Sequence, residues 1–224
     1  MKRLLLLCFL ALSLTLHARD KRVHIEFVTT VGTFTVALNP DTPQHSRNFE
    51  KLVREGFYDG ILFHRVIRDF MVQAGDPDSK TAQPGQTLGE GDLPYTLPLE
   101  LDLPYYFHHR GALAAARQGD DVNPERRSSA TQFYIVWGKT YSLSRLAPII
   151  DQVEAATGLQ GVINGDMART YETEGGTPFL DGQYTVFGEV TAGLSVIDRM
   201  QQVATDSNDR PIEDVRILTA RVKE

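Results

Sequence analysis

Cysteine is nearly absent from these 224 residues: the chain has one, Cys8, and it lies in an apolar leader. Beyond that leader disulfides, thiol catalysis and Cys-ligated metal are all excluded. A basic stripe is missing too. The 23 Lys and Arg against 29 Asp and Glu give a formal charge of −6. That balance speaks for solubility and against a nucleic-acid footprint. No internal repeat, coiled-coil heptad or interdomain linker interrupts the chain. No strained Gly-x-Ser-x-Gly elbow is present, so Ser128 and Ser129 do not make a hydrolase nucleophile. The single long apolar run falls short of the roughly 20 residues that a membrane span needs.

That run belongs to a distinct segment. Lys2 and Arg3 precede Leu4–Leu16, and Ala18 follows as a small residue, so residues 1–18 read as a secretory signal peptide cleaved near Ala18. The expectation is an exported, periplasmic protein, membrane-anchored only if the leader is retained. Residues 19–224 then form one domain, long enough for one sizeable core. Without Lys2 and Arg3, 21 basic residues face 29 acidic ones, a charge of −8.

The remainder alternates in short periods. Val23–Val28 and Thr33–Leu38 read as a hairpin around Thr30-Val31-Gly32. Thr42-Pro43 opens a helix with an apolar stripe at Phe49, Leu52 and Val53, which Gly56 ends. Residues 77–98 read as a long irregular loop. Gly111–Arg117, Thr131–Trp137, Tyr184–Val190 and Val215–Val222 read as strands, and Leu194–Met200 as a second amphipathic helix. Residues 138–177 carry little pattern beyond a helix at Ile149–Ala156, with Pro148 at its start. Many short strands with few helices predict a mainly β barrel or sandwich with helices packed on it.

The organising stretch is Phe63–Asp76. It reads as two strands joined by a tight turn at Arg68-Asp69 and stopped by Gly75-Asp76-Pro77. Residues two apart on a strand share a face, so Met71 and Gln73 lie together and Arg65 reaches them from the neighbouring strand. A guanidinium and an amide beside Phe70 and Met71 describe a small apolar pocket with two polar handles.

Four motifs, in order, resemble those of the cyclophilins, the peptidyl-prolyl cis/trans isomerases. Phe63-His64-Arg65-Val66-Ile67-x-x-Phe70-Met71-Val72-Gln73-x-Gly75-Asp76 resembles the family signature nearly residue for residue. Gly111-x-Leu113-x-Ala115-Ala116 is similar to the next motif. Ser129–Ile135 resembles the Ser-Gln-Phe-Phe-Ile block, and Phe179-Leu180-Asp181-Gly182 followed by Val186-Phe187-Gly188 resembles the Trp-Leu-Asp-Gly and Val-Phe-Gly blocks. The likeness spans residues 22–222 apart from insertions at 119–130 and 138–177. It implies a closed eight-stranded antiparallel β-barrel capped by two α-helices, with a partly helical insertion near 138–177.

The resemblance also implies roles. Arg65 is the expected catalytic arginine, and Gln73 and Gln132 bond the substrate backbone. Phe70, Met71, Tyr134 and Leu180 line a proline pocket, with Phe179 and Tyr184 on its far wall, and Ala116 and Arg117 lie along the peptide groove. The implied partners are proline-containing segments of unfolded or folding proteins, met by a monomer that needs no metal or cofactor. A non-catalytic chaperone using the same groove is the competing reading; the intact Arg65, Phe70, Met71 and Gln73 argue against it. The chain departs from the family pattern where Tyr184 replaces a pocket histidine, where Arg117-Gln118 replace Asn-Ala, and at the Arg68-Asp69 turn.

The chemistry fits these residue types. Rotation about a peptide bond faces about 18–20 kcal/mol of lost resonance. X–Pro bonds populate both isomers but exchange over tens to hundreds of seconds. A catalyst therefore needs no nucleophile; it must bind the twisted amide better than either planar form. An always-charged fork of donors such as Arg65 suits the lone pair that returns to nitrogen in that state. His64 reads as a core histidine rather than a base, Phe133 as core, and His108-His109 as a solvated loop.

Overall fold

A computed structural model describes residues 22–223. The signal-peptide expectation for residues 1–18 lies outside them. Eight strands form one antiparallel sheet: β1 (His24–Thr29), β2 (Gly32–Leu38), β3 (Arg65–Ile67), β4 (Met71–Ala74), β6 (Ala112–Ala115), β8 (Phe133–Val136), β9 (Val186–Ala192) and β10 (Ile217–Val222). Their spatial order is β10-β1-β2-β9-β6-β8-β4-β3. Two short strands, β5 (Thr96–Leu97) and β7 (Ser128–Ser129), pair separately.

The sheet curls as the barrel reading expects, but its ladder does not close. Between β3 and β10 the regular pairing is replaced by scattered backbone bonds. Phe63 N–H donates to Val215 O and Ile217 N–H to Ile61 O, each at 2.8 Å. Val66 N–H donates to Asp209 O at 2.8 Å. The segments that meet at this seam are irregular, so they bridge the gap without extending either strand. The result is a curled half-barrel whose open edge lies beside Arg65.

Strand alternation sorts the two faces. Val66, Val72, Ala74, Leu113, Ala115, Phe133 and Ile135 point into the barrel and join its main core. There Phe27 stacks on Phe34 with ring centroids 4.9 Å apart, and Phe49 meets Phe133 edge-on at 5.2 Å. Each such fully buried large side chain contributes about 1.5–3 kcal/mol. Helix α1 (Pro43–Arg54) supplies Phe49, Leu52 and Val53 to this core, and α4 (Leu194–Gln201) supplies Val196, Ile197 and Met200. Thr42 stands at the N-cap of α1, but its hydroxyl bonds back to Asn39 O. The Glu100 carboxylate takes its place and accepts from Gln44 N–H and His45 N–H.

The insertion holds two helices. The first, α2 (Leu143–Thr157), begins six residues before the expected start, so Pro148 sits inside it, where it removes one helical hydrogen bond and crowds the carbonyl of Ser144. The second, α3 (Gly165–Thr173), has no counterpart in the sequence reading. Asn164 caps it, accepting from Asp166 N–H and Met167 N–H. Met167 and Tyr171, four apart, bury against Leu146 and Val153 of α2 in a separate small core.

Candidate active site

The outward positions of the same strands build the site. Arg65 pairs with Gln73 across β3–β4, Gln73 with Tyr134 across β4–β8, and Tyr134 with Ala114 across β8–β6. These residues form a row along the outer face. The β3–β4 turn brings Phe70 over it; Asp69 adopts φ 58°, and its N–H donates to Gln201 of α4 at 2.9 Å. The 3-10 turn Pro178–Leu180 and Tyr184 close the opposite side.

The pocket between them is about 160 Å³. Arg65, Phe70, Met71, Gln73, Ala116, Arg117, Tyr134, Leu180 and Tyr184 line it, so nine of the eleven expected residues converge there. Phe179 stands behind Phe70, with ring centroids 5.8 Å apart. Gln132 belongs to the adjoining cavity of about 440 Å³, which shares Gln73, Ala116 and Arg117 and adds Glu90, Asp92 and Arg127.

Gln132 is also bonded on every side. Its amide donates to Gly89 O and Gly91 O, both at 2.8 Å, and its carbonyl accepts from Gln73 Nε2 at 3.0 Å. Gln73 in turn presents Oε1 to Arg65 Nη1 at 3.4 Å. A polar chain thus runs from the loop at 89–91 to the guanidinium. Gly75 makes this possible: at φ 107°, a Cβ there would lie 2.2 Å from Thr131 O, so only glycine lets β4 pass so close to Gln132.

Arg65 has a second neighbour that the sequence did not signal. The Asp209 carboxylate lies 3.5 Å from Nε, with both side chains nearly half exposed. Arg117 crosses between the two cavities, donating to Gln183 O at 3.0 Å, pairing with Asp120 at 2.6 Å and lying 4.3 Å over the Tyr184 ring. Its side chain is almost fully buried, so it serves as a wall.

His64 is buried, as the core reading expected, and burial lowers its pKa to about 4. His108 corrects the sequence reading. Far from lying in a solvated loop, it is 1 % exposed and bonds Asp181 and Tyr134. A lone His-His pair carries no periodic signal that would have placed it inside. Burial also pushes the Tyr134 phenol well above its ordinary pKa.

Comparison with known proteins agrees with this geometry. The model of the family described as cyclophilin type peptidyl-prolyl cis-trans isomerase/CLD matches residues 24–222. The chain is 34 % identical to the peptidyl-prolyl cis-trans isomerase-like 1 of Aspergillus fumigatus over 203 residues, covering 89 % of this chain and 95 % of that one. It is also 34 % identical to a peptidyl-prolyl cis-trans isomerase of Schizosaccharomyces pombe over 200 residues, 88 % and 97 % of the two chains. A solved cyclophilin type isomerase of Cryptosporidium parvum shares the fold with a TM-score of 0.62 at 20 % identity, over 91 % of this chain and 98 % of that one. Motif, sheet and relatives meet in one conclusion: this chain belongs to the cyclophilin-type peptidyl-prolyl cis-trans isomerases and catalyses cis/trans isomerisation of prolyl peptide bonds.

Proposed function

We propose that the 160 Å³ cavity receives the proline ring and that Arg65 is the catalytic residue. The carrying observation is the convergence of the Arg65 guanidinium with Phe70, Met71, Tyr134, Leu180 and Tyr184 over one face of the sheet. Burying the three methylenes of a proline contributes about 2 kcal/mol, which suits transient rather than tight binding. Gln73 holds the Arg65 guanidinium at the pocket rim, so donors meet the proline nitrogen as its lone pair returns. Gln132, with its amide spent on the loop, positions Gln73 and leaves contact with the peptide to others. Ala116 and Arg117 border the groove towards the larger cavity, which takes a residue flanking the proline.

The substrates are proline-containing segments of unfolded or folding proteins. One solved neighbour, at 20 % identity, is a structure determined in the presence of the dipeptide Ala-Pro. Titrating an isotope-labelled sample with an Ala-Pro peptide tests the assignment. Shifts centred on Met71, Tyr134 and Leu180 support it; shifts confined to another face overturn it.

The basic and apolar leader supports export, where slow prolyl steps limit folding. On that reading the protein acts on exported clients in the periplasm. Recovery of the protein solely from the cytoplasmic fraction, with its leader intact, would end that reading.

A further inference from the structure

Tyr134 contributes its ring to the pocket and its hydroxyl to something else. The hydroxyl lies 2.9 Å from Nε2 of His108. His108 Nδ1 lies 2.8 Å from Asp181 Oδ1, which also accepts the His108 backbone N–H at 2.9 Å. The other carboxylate oxygen accepts from Tyr171 Oη at 2.6 Å. His108, Asp181 and Tyr171 are each 1 % exposed or less.

The direction of every bond follows. Donors converge on Asp181, so it acts as the acceptor and the His108 proton sits on Nδ1. In the neutral tautomer Nε2 then offers a lone pair, and Tyr134 O–H donates to it. Tyr171 O–H donates from the other end. A buried network of this kind, fully satisfied, fixes the orientation of each member. The Tyr184 ring meets both His108 and Tyr134 edge-on, at 6.3 and 6.1 Å, and closes the remaining direction.

The four members come from separate segments. Tyr134 is on β8, His108 on the chain before β6, Asp181 just after the 3-10 turn that carries Leu180, and Tyr171 on α3 of the insertion. A phenylalanine at 134 would fill the ring's place with no call on His108. The hydroxyl therefore adds a constraint that hydrophobic packing alone does not supply.

Building on the pocket assignment above, we infer that His108, held by Asp181 and Tyr171, is a positioning residue for Tyr134, so that the inserted helix α3 sets the shape of the proline pocket. The insertion is thereby part of the substrate-binding apparatus rather than a surface ornament.

A double-mutant cycle tests this on the full mature chain, reading Ala-Pro peptide affinity by NMR titration and thermal unfolding in parallel. Tyr171→Phe removes one oxygen three hydrogen bonds behind Tyr134. It should weaken peptide binding about threefold to tenfold, the value of one lost buried hydrogen bond. In the Tyr134→Phe background the same change should alter binding less than about twofold, because the hydroxyl it steadied is gone. Equal losses in both backgrounds, or native affinity in Tyr171→Phe itself, would overturn the proposal. Should Tyr171→Phe fail to fold, His108→Gln taken through the same cycle gives the same two outcomes. Peptide-induced shifts confined to another face of the wild type would instead remove the pocket as the site, and the proposal with it.

Discussion

Arg65 and Gln73 face each other across the β3–β4 ladder, with Nη1 of the arginine 3.4 Å from Oε1 of the glutamine. The contact is the last link of a chain that begins at Gly89 O and Gly91 O and passes through Gln132. It sets a cation in place without neutralising it. Replacing Gln73 with leucine removes that link while keeping side-chain bulk. The variant should lose roughly tenfold to a hundredfold in kcat/KM, as for a hydrogen bond to a charged group, and its Tm should fall modestly because Gln132 Oε1 loses its donor. A protease-coupled assay with an Ala-Pro substrate gives the first quantity and calorimetry the second.

The second partner of Arg65, Asp209, should matter far less. The pair is half exposed and 3.5 Å apart, the regime in which ion pairs contribute little and salt screens them. Asp209→Asn keeps a residue that tolerates the φ of 60° at this position. Its kcat/KM should stay within about threefold of wild type at low salt, and the difference should vanish at about 1 M salt. A loss as large as that of the Gln73 variant would show that Asp209 holds the arginine instead.

Gly75 is the point where two strands of the site pass close together. A Cβ at φ 107° would sit 2.2 Å from Thr131 O, against backbone that cannot yield. Gly75→Ala should therefore destabilise the fold by more than about 1 kcal/mol and depress activity together with stability. Denaturant unfolding measures the first effect; an unchanged midpoint would contradict the close approach.

Stability should fall in mild acid. Burial lowers His64 to about 4 and also lowers His45, where Glu100 works in the opposite direction. For His64 the unfolded chain binds the proton below about pH 6.5 and the folded chain only near pH 4. The unfolded state thus holds more protons across that window, and stability decreases as pH falls through it. The His64 contribution amounts to about 3 kcal/mol at full development. His64→Leu should flatten the pH dependence of unfolding between pH 6.5 and 4; a slope unchanged by that substitution would place the effect elsewhere.

Much of this was legible in the sequence, for physical reasons that vary by residue. Strand alternation placed Met71 and Gln73 on one face, because period two leaves no choice once Val72 is core, while Tyr134 was placed in the pocket by the family resemblance. The helices at α1 and α4 announced themselves by apolar stripes and, for α1, by Pro43 and Gly56. Helix α3 did not: it is nine residues long, begins at a glycine and buries only Met167 and Tyr171. Its Asn164 cap and that spacing of four were the available signals. His108 and Asp209 were illegible because their roles rest on partners 73 and 144 residues away, Asp181 and Arg65, which no local pattern joins. The same holds for the open seam: scattered bonds between residues 61–66 and 209–217 leave no periodic trace.

Arg65 is proposed to stabilise the twisted prolyl bond, and a single comparison decides whether it does. Protease-coupled isomerisation of an Ala-Pro peptide is measured for the wild type and for Arg65→Ala, with folding of both verified by calorimetry. The variant should bind the peptide yet lose about a hundredfold to a thousandfold in rate, the cost of removing a donor aimed at transition-state charge. A folded Arg65→Ala variant that isomerises as fast as the wild type would contradict it.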